Sequence, residues 1–216
     1  MFAERAAEVM PGFRITERNR RVISEICHRL DGIPLAIELA AVRLRTMSLE
    51  ELLVGLDARY DWPAIAGDDI ARHQTLRSAI DWSFELCTRD EQLMWARASV
   101  FPDSFDLESA EAVCAGDGLD PGMVLDLVAR LVDQSILIRE ERSGRAQYRL
   151  LDTVRQYGQE QLQQVGESTR FQRRHRDWYL RLVEQREAEW FGPHQERFVT
   201  ETRAEHSHLR AALNFF

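Results

Sequence analysis

The sequence predicts a mainly α protein: a small helical domain, a winged helix with one β-hairpin, and the start of a helical array. Three observations carry this. Apolar residues recur at helical spacing along most of the chain, and helix-starting and helix-stopping residues punctuate those runs. One stretch, Ser135 to Leu151, changes to two β-prone runs around Ser143-Gly144. With 216 residues, 44% of them hydrophobic, the chain can bury a core.

Phe2 to Met10 reads as a short helix that Pro11-Gly12 stops. Thr16 is the N-cap of a second helix, with Val22, Ile23, Ile26, Cys27 and Leu30 at helical spacing. Gly32 ends it at the C′ position, where φ > 0 suits glycine, and Pro34 opens the next helix, where the missing N–H is no loss. That third helix runs to about Arg45, and Ser48-Leu-Glu-Glu51 is a capping box for a fourth. Residues 1–58 are thus expected to form a helical domain. Residues 59–72 gather Pro, Gly and Asp as a linker does.

The winged helix is expected over 73–157. It opens with a helix from Thr75 to Leu86, a second capping box at Thr88-Arg-Asp-Glu91, and the apolar stretch Ala98 to Phe101. A helix follows from Leu107 to Cys114, and Asp120-Pro121 starts another through Asp133. The Ser135–Leu151 hairpin and a helix from about Thr153 complete the order. Residues 158–216 return to helix: Trp178, Tyr179, Leu182 and Val183 share a face, Gly192-Pro193 is a break, and Leu209-Arg-Ala-Ala-Leu213 forms a last helix. Such a face needs a covering partner, so this segment reads as the opening of a helical array cut short.

Composition narrows the function. No apolar run reaches the ~18 residues of a membrane span, and the first residues lack the basic start of a secretory signal, so a cytoplasmic protein is expected. Cys27, Cys87 and Cys114 are widely spaced and read as free thiols. His28, His73, His206 and His208 stand at no spacing that implies a nucleophile–base pair or a metal site, so neither a catalytic nor a metal centre is expected. Trp82, Trp95 and Trp178 read as core anchors. All 28 basic residues are arginines, and the net charge is −8. Residues 73–157 carry 9 arginines against 15 acids, and the helix Pro121–Gln134, with one Arg and two Asp, reads as built to be buried. DNA contact through this chain is therefore not expected, and packing between domains is the expected role of the winged helix. The locally basic run Arg170 to Arg176 reads as the solvated face of a helix.

Five motifs carry a resemblance: Ile26-Cys-His-Arg-Leu-Asp-Gly-Ile-Pro-Leu-Ala-Ile-Glu-Leu-Ala-Ala41, Arg72-His-Gln-Thr-Leu-Arg77, Asp81-Trp-Ser83, Ser99-Val-Phe101 and Tyr148-Arg-Leu-Leu-Asp-Thr-Val-Arg-Gln-Tyr157. In this order they resemble the C-terminal part of bacterial NB-ARC-type signal-transduction (STAND) ATPase regulators, of the LuxR-family or SARP-type kind. The resemblance implies a nucleotide domain, then a helical domain with a Gly-x-Pro motif, a winged helix and tetratricopeptide-like repeats. It implies that Gly32, Pro34 and Leu35 stand at the rim of a nucleotide pocket. It also aligns Leu150-Leu151-Asp152 with a Met-His-Asp motif, of which only the acid, Asp152, is kept.

No Gly-x4-Gly-Lys-Ser/Thr occurs, and a chain without lysine has no P-loop lysine. No cofactor is therefore expected for this chain alone, and ADP or ATP for a complete family member. The partners implied are a nucleotide-binding domain in cis or trans and a protein partner on the helical repeats, with no membrane. The expected function is a non-catalytic regulatory and interdomain segment of a nucleotide-switched transcriptional regulator, without its P-loop domain. The alternative is a stand-alone winged-helix DNA-binding regulator.

Overall fold

A computed structural model describes residues 1–57, 68–142, 144–187 and 205–214. The chain is mainly helical, with one two-stranded antiparallel hairpin and a winged helix. By its contacts it divides into two compact units, Met1–Thr88 with Asp133–Ser135, and Arg89–Val132 with Ile136–Phe216.

Among its described residues the first unit holds five α-helices, α1 (Phe2–Val9), α2 (Glu17–Arg29), α3 (Pro34–Val42), α4 (Leu49–Asp57) and α5 (Asp68–Glu85). Thr16 caps α2 as expected: its hydroxyl accepts from the Asn19 amide at 3.3 Å, and the Asn19 side chain accepts from the Thr16 amide at 2.7 Å. The far end of α2 differs in detail from the sequence expectation. The Asp31 amide donates to the His28 carbonyl and the Gly32 amide to the Cys27 carbonyl, both at 3.0 Å, so the helix closes in a Schellman motif with Asp31 at C′. Asp31 and Gly32 are both left-handed, at φ 50° and 66°. The short Asp side chain tolerates that region, and its carboxylate accepts from the Thr75 hydroxyl at 2.6 Å.

Pro34 is the first residue of α3. This helix is buried nearly all round, through Ala36, Ile37, Leu39, Ala40, Ala41 and Val42. The alanines let α1 and α5 pack closely on it. The helix stops at Val42 and passes into a 3-10 turn, Arg43–Arg45, where buried Arg43 donates to the Ser83 carbonyl of α5 at 3.1 Å. Ser48 and Glu51 form the expected capping box of α4.

Helix α5 was expected to open the winged helix. It instead adds Ala79 and Trp82 to the core made by Phe2, Ile26, Leu30, Ile37, Leu52 and Leu56. Gly55 admits the Trp82 ring, whose Cζ2 lies 2.9 Å from where a Cβ would stand. Of the expected 59–72 linker, residues 59–67 lie outside the described residues, and α5 begins at Asp68.

The second unit begins with α6 (Arg89–Ala98) and continues through α7 (Leu107–Cys114), a 3-10 turn Pro121–Met123, α8 (Val124–Asp133), β1 (Leu137–Arg142) and β2 (Arg145–Leu150). It then runs through α9 (Asp152–Gln164), α10 (Ser168–Glu187) and α11 (His206–Leu213). Asp106 caps α7 through the Ser109 amide, and Asp120 accepts from the Gly122 amide, both at 2.9 Å. β1 and β2 pair from Leu137↔Leu150 to Arg142↔Arg145, with Gly144 in the turn at φ 73°; Ser143 lies outside the described residues.

A third extended residue joins this hairpin. Phe105 exchanges both backbone hydrogen bonds with Tyr148 at 2.8 Å, on the side of β2 away from β1. Sequence reasoning missed it, because one bridging residue has no period.

Trp95 anchors α6 on α9, donating from Nε1 to the Val154 carbonyl at 3.0 Å. Gly158 allows the approach: a Cβ there would stand 2.9 Å from the Ser99 Cβ and 3.1 Å from the Trp95 ring. The helical stretch expected from about Thr153 onward is broken at Gly166, φ 74°, into α9 and α10. α10 packs on α7, and Trp178 donates to the Ser109 hydroxyl at 3.1 Å. The Gly192-Pro193 break lies outside the described residues.

Candidate nucleic-acid interface

Helices α7 and α8 and the turn between them form a helix-turn-helix, and β1–β2 is the wing that follows. The turn is unusual in its backbone: Gly116, Asp117 and Gly118 are all left-handed, at φ 82°, 51° and 90°. A bridge between Gly116 and Leu119, at 2.7 and 3.1 Å, ties its ends.

What holds the turn is Arg97 of α6, which is 1% exposed. Its guanidinium donates to the carbonyls of Cys114, Gly116 and Asp117 at 2.9, 2.7 and 2.8 Å. Its Cζ lies 4.5 Å from the centre of the Phe171 ring, and Glu167 stands 3.9 Å from Nη2. Burial pulls the Arg97 pKa down, offset in part by Glu167. The same burial pushes the neighbouring Cys114 thiol up to about 12, so this thiol is inert packing. From α10, Arg170 and Arg174 pair with the Asp117 carboxylate, and Arg174 also donates to the Ala112 carbonyl at 3.0 Å.

The basic run Arg170–Arg176 is therefore less solvated than its composition suggests. Phe171 and His175 are buried, and two of its arginines bind Asp117. Arg97 was missed because it is one arginine among many. The available signal was its place within the apolar run Met94 to Phe101.

Helix α8 is two-faced. Val124, Leu127, Val128 and Leu131 are buried, whereas Leu125, Asp126, Ala129 and Arg130 are exposed. The wing carries four arginines. Arg139, Arg142 and Arg145 are exposed, and half-buried Arg149 donates to Glu140 at 2.5 Å. Arg142 also reaches Glu140, at 3.1 Å, and these two arginines hold the Glu140 carboxyl below the usual range, the Arg149 hydrogen bond being the larger cause.

The residues singled out in the sequence fall on different units. Gly32 and Pro34 are exposed at the α2–α3 turn, with open space where a Gly32 Cβ would stand, and Leu35 is half-buried. Asp152 is the first residue of α9, with its side chain 92% exposed and 3.0 Å from Arg155. Together with Leu150, Leu151, Arg142, Arg149 and Arg155 it lines an open cleft of about 410 Å³. Among the described residues no group of three or more His, Cys, Asp or Glu could hold a metal ion, and no helix is long and apolar enough to cross a membrane.

Residues 89–163 match the family model of the winged helix-turn-helix domain. The chain is 45% identical over 216 residues to proteins of Mycobacterium tuberculosis and Mycobacterium bovis, each named "Putative HTH-type transcriptional regulator". That alignment covers 99% of this chain and 24% of each relative, so the chain spans about a quarter of their length. An uncharacterized protein of Mycobacterium tuberculosis is 42% identical over 170 residues, 78% of this chain and 43% of its own.

These findings overturn the expectation that DNA is not contacted through this chain. The physical reason is that neither burial nor charge is uniform over 73–157. In the structure α8 keeps an exposed face, and the arginines concentrate on the wing while many acids lie elsewhere.

Proposed function

We propose that this chain belongs to a transcription regulator and binds duplex DNA through the winged helix-turn-helix of residues 89–163, without catalysing a reaction. The observation that carries this reading is the solvent face of α8 followed directly by a wing bearing Arg139, Arg142 and Arg145 in the open. Arginines on an exposed hairpin neutralise phosphates, and the exposed α8 side chains Leu125, Asp126, Ala129 and Arg130 are those available to base edges. With a net charge of −8, affinity rests on this local patch and not on the whole molecule. Fluorescence anisotropy with duplexes enriched from a random pool tests it. Binding should weaken linearly on a log–log salt plot, with a slope near −3 if three arginines reach phosphates, by the ~0.9-per-contact rule. Absence of enrichment and of binding at low salt would remove the proposal.

A finer reading concerns the α2–α3 turn. We propose that Gly32, Pro34 and Leu35 rim a nucleotide pocket in the whole protein, of the ADP- or ATP-switched kind. Its support is the exposed, left-handed Asp31–Gly32 turn that sets Pro34 at the surface. Within this chain the residues supply a rim and no phosphate cradle, since the lysine and the glycine-rich loop are lacking. ADP titrated into the whole protein should bind more weakly after Pro34→Ala, by about ten-fold if one well-packed contact is lost. An unchanged Kd would dismiss the rim.

A further inference from the structure

Two histidines that the winged helix does not use are buried together in the second unit. His175 of α10 and His208 of α11 are 3% and 1% exposed, and their Nε2 and Nδ1 atoms stand 3.1 Å apart. His208 Nε2 lies 2.8 Å from the Ser104 carbonyl, which can only accept. His208 therefore carries its proton on Nε2, its Nδ1 accepts, and His175 donates from Nε2. Tyr179 stacks on the His208 ring at 4.4 Å and 1°, and Phe101 stands edge-on to both imidazoles at 5.4 and 5.9 Å. Ser104 immediately precedes Phe105, the residue that pairs with Tyr148 at the base of the wing. The chain of bonds thus links α10 and α11 to the Ser104–Phe105 segment that bridges to β2.

We propose that α11 is a proton-released latch, fastened to the winged-helix unit by the neutral His175–His208–Ser104 relay and freed when either histidine takes up a proton. A second proton on His208 would sit on Nδ1, obliging His175 Nε2 to give up its own proton to accept, and would leave an ion buried against the Tyr179 and Phe101 rings. A second proton on His175 would place an ion among the rings of Phe101 and Tyr179.

Among the described residues, the charged and titratable groups around the pair are Tyr179 of α10, and Asp103 and Asp106 of the segment between α6 and α7. Ser207 of α11 also donates to Asp103, at 3.4 Å. Burial lowers both histidines, His175 to about 3 with His208 adding to the effect; Ser104, Asp103 and Asp106 oppose the lowering at His208. Both folded values are depressed, so the released state binds more protons below the ordinary histidine value. The latch is therefore at full strength above about pH 6.5 and is lost as pH falls below it.

Hydrogen–deuterium exchange of the full chain, corrected for the intrinsic pH dependence of exchange, is the test. Between pH 7.5 and 5.5, amides of 206–213 should lose protection about ten-fold for each histidine that titrates, while α6 and α9 keep theirs. In H208Q, whose amide can still donate to Ser104 and accept from His175, the loss should shrink, and in H175N/H208Q it should vanish. If the double variant does not fold by circular dichroism, H208Q alone decides. Equal protection of α11 at both pH values would overturn the latch. So would a parallel loss in α6 and α9, which is global unfolding, or an undiminished response in H208Q.

Discussion

Replacing Arg97 with methionine should destabilise the second unit by about 3–5 kcal/mol, measured by urea unfolding followed through tryptophan fluorescence. Methionine fills much of the space and removes a buried charge, and such exchanges are sometimes neutral when both partners of an interaction become apolar. Here the partners are backbone. The carbonyls of Cys114, Gly116 and Asp117 remain after the substitution, each having lost a donor within 2.9 Å. The turn they belong to runs through three consecutive left-handed residues, one of which is not glycine, and it depends on outside donors to stay so. Arg97→Lys should fall between, because a single ammonium keeps the charge without the fork that serves three acceptors. A loss below about 1 kcal/mol for the methionine variant would show that the turn holds itself.

Reversing the charge of the wing, in R142E/R145E, should weaken DNA binding by about 100-fold at low salt and flatten the log–log salt slope by about two. Both side chains are exposed near the hairpin turn, and neither contributes to the core, so the fold should be unchanged by circular dichroism. A matched change on α8, Arg130→Ala, separates the two halves of the interface. If Arg130 reads a base edge, its loss should narrow the discrimination between selected and random duplexes, by about 1–3 kcal/mol. If the wing variant binds as tightly as the parent and with the same salt slope, phosphate contact lies elsewhere on the molecule.

Much of this architecture is legible in local chemistry. Thr16, Ser48 with Glu51, and Asp120 with Pro121 announce helix starts because their bonds close within three residues. The hairpin announces itself through its β-prone runs. Gly32 and Pro34 mark the α2–α3 turn, although Asp31 takes the C′ place that glycine was expected to hold. What sequence does not display is set by contacts between distant residues. Trp82 has the same helical spacing whether it packs forward or backward, and it packs backward, against Gly55. Arg97 meets its acceptors 17 to 20 residues away, and His175 meets His208 33 residues on. The DNA expectation failed for a related reason: composition averages over a surface, whereas recognition uses one face of one helix and one hairpin.

The bridge from Phe105 to Tyr148 has a consequence for solubility. It covers one edge of the small sheet, leaving β1 as the open edge among the described strands. An uncovered strand is a template on which a second molecule can add its own strand. β1 meets that hazard with four consecutive charged residues, Arg139, Glu140, Glu141 and Arg142, two of each sign. A neighbour approaching this edge would have to desolvate them all, so the wing can stand out from the protein without seeding aggregation.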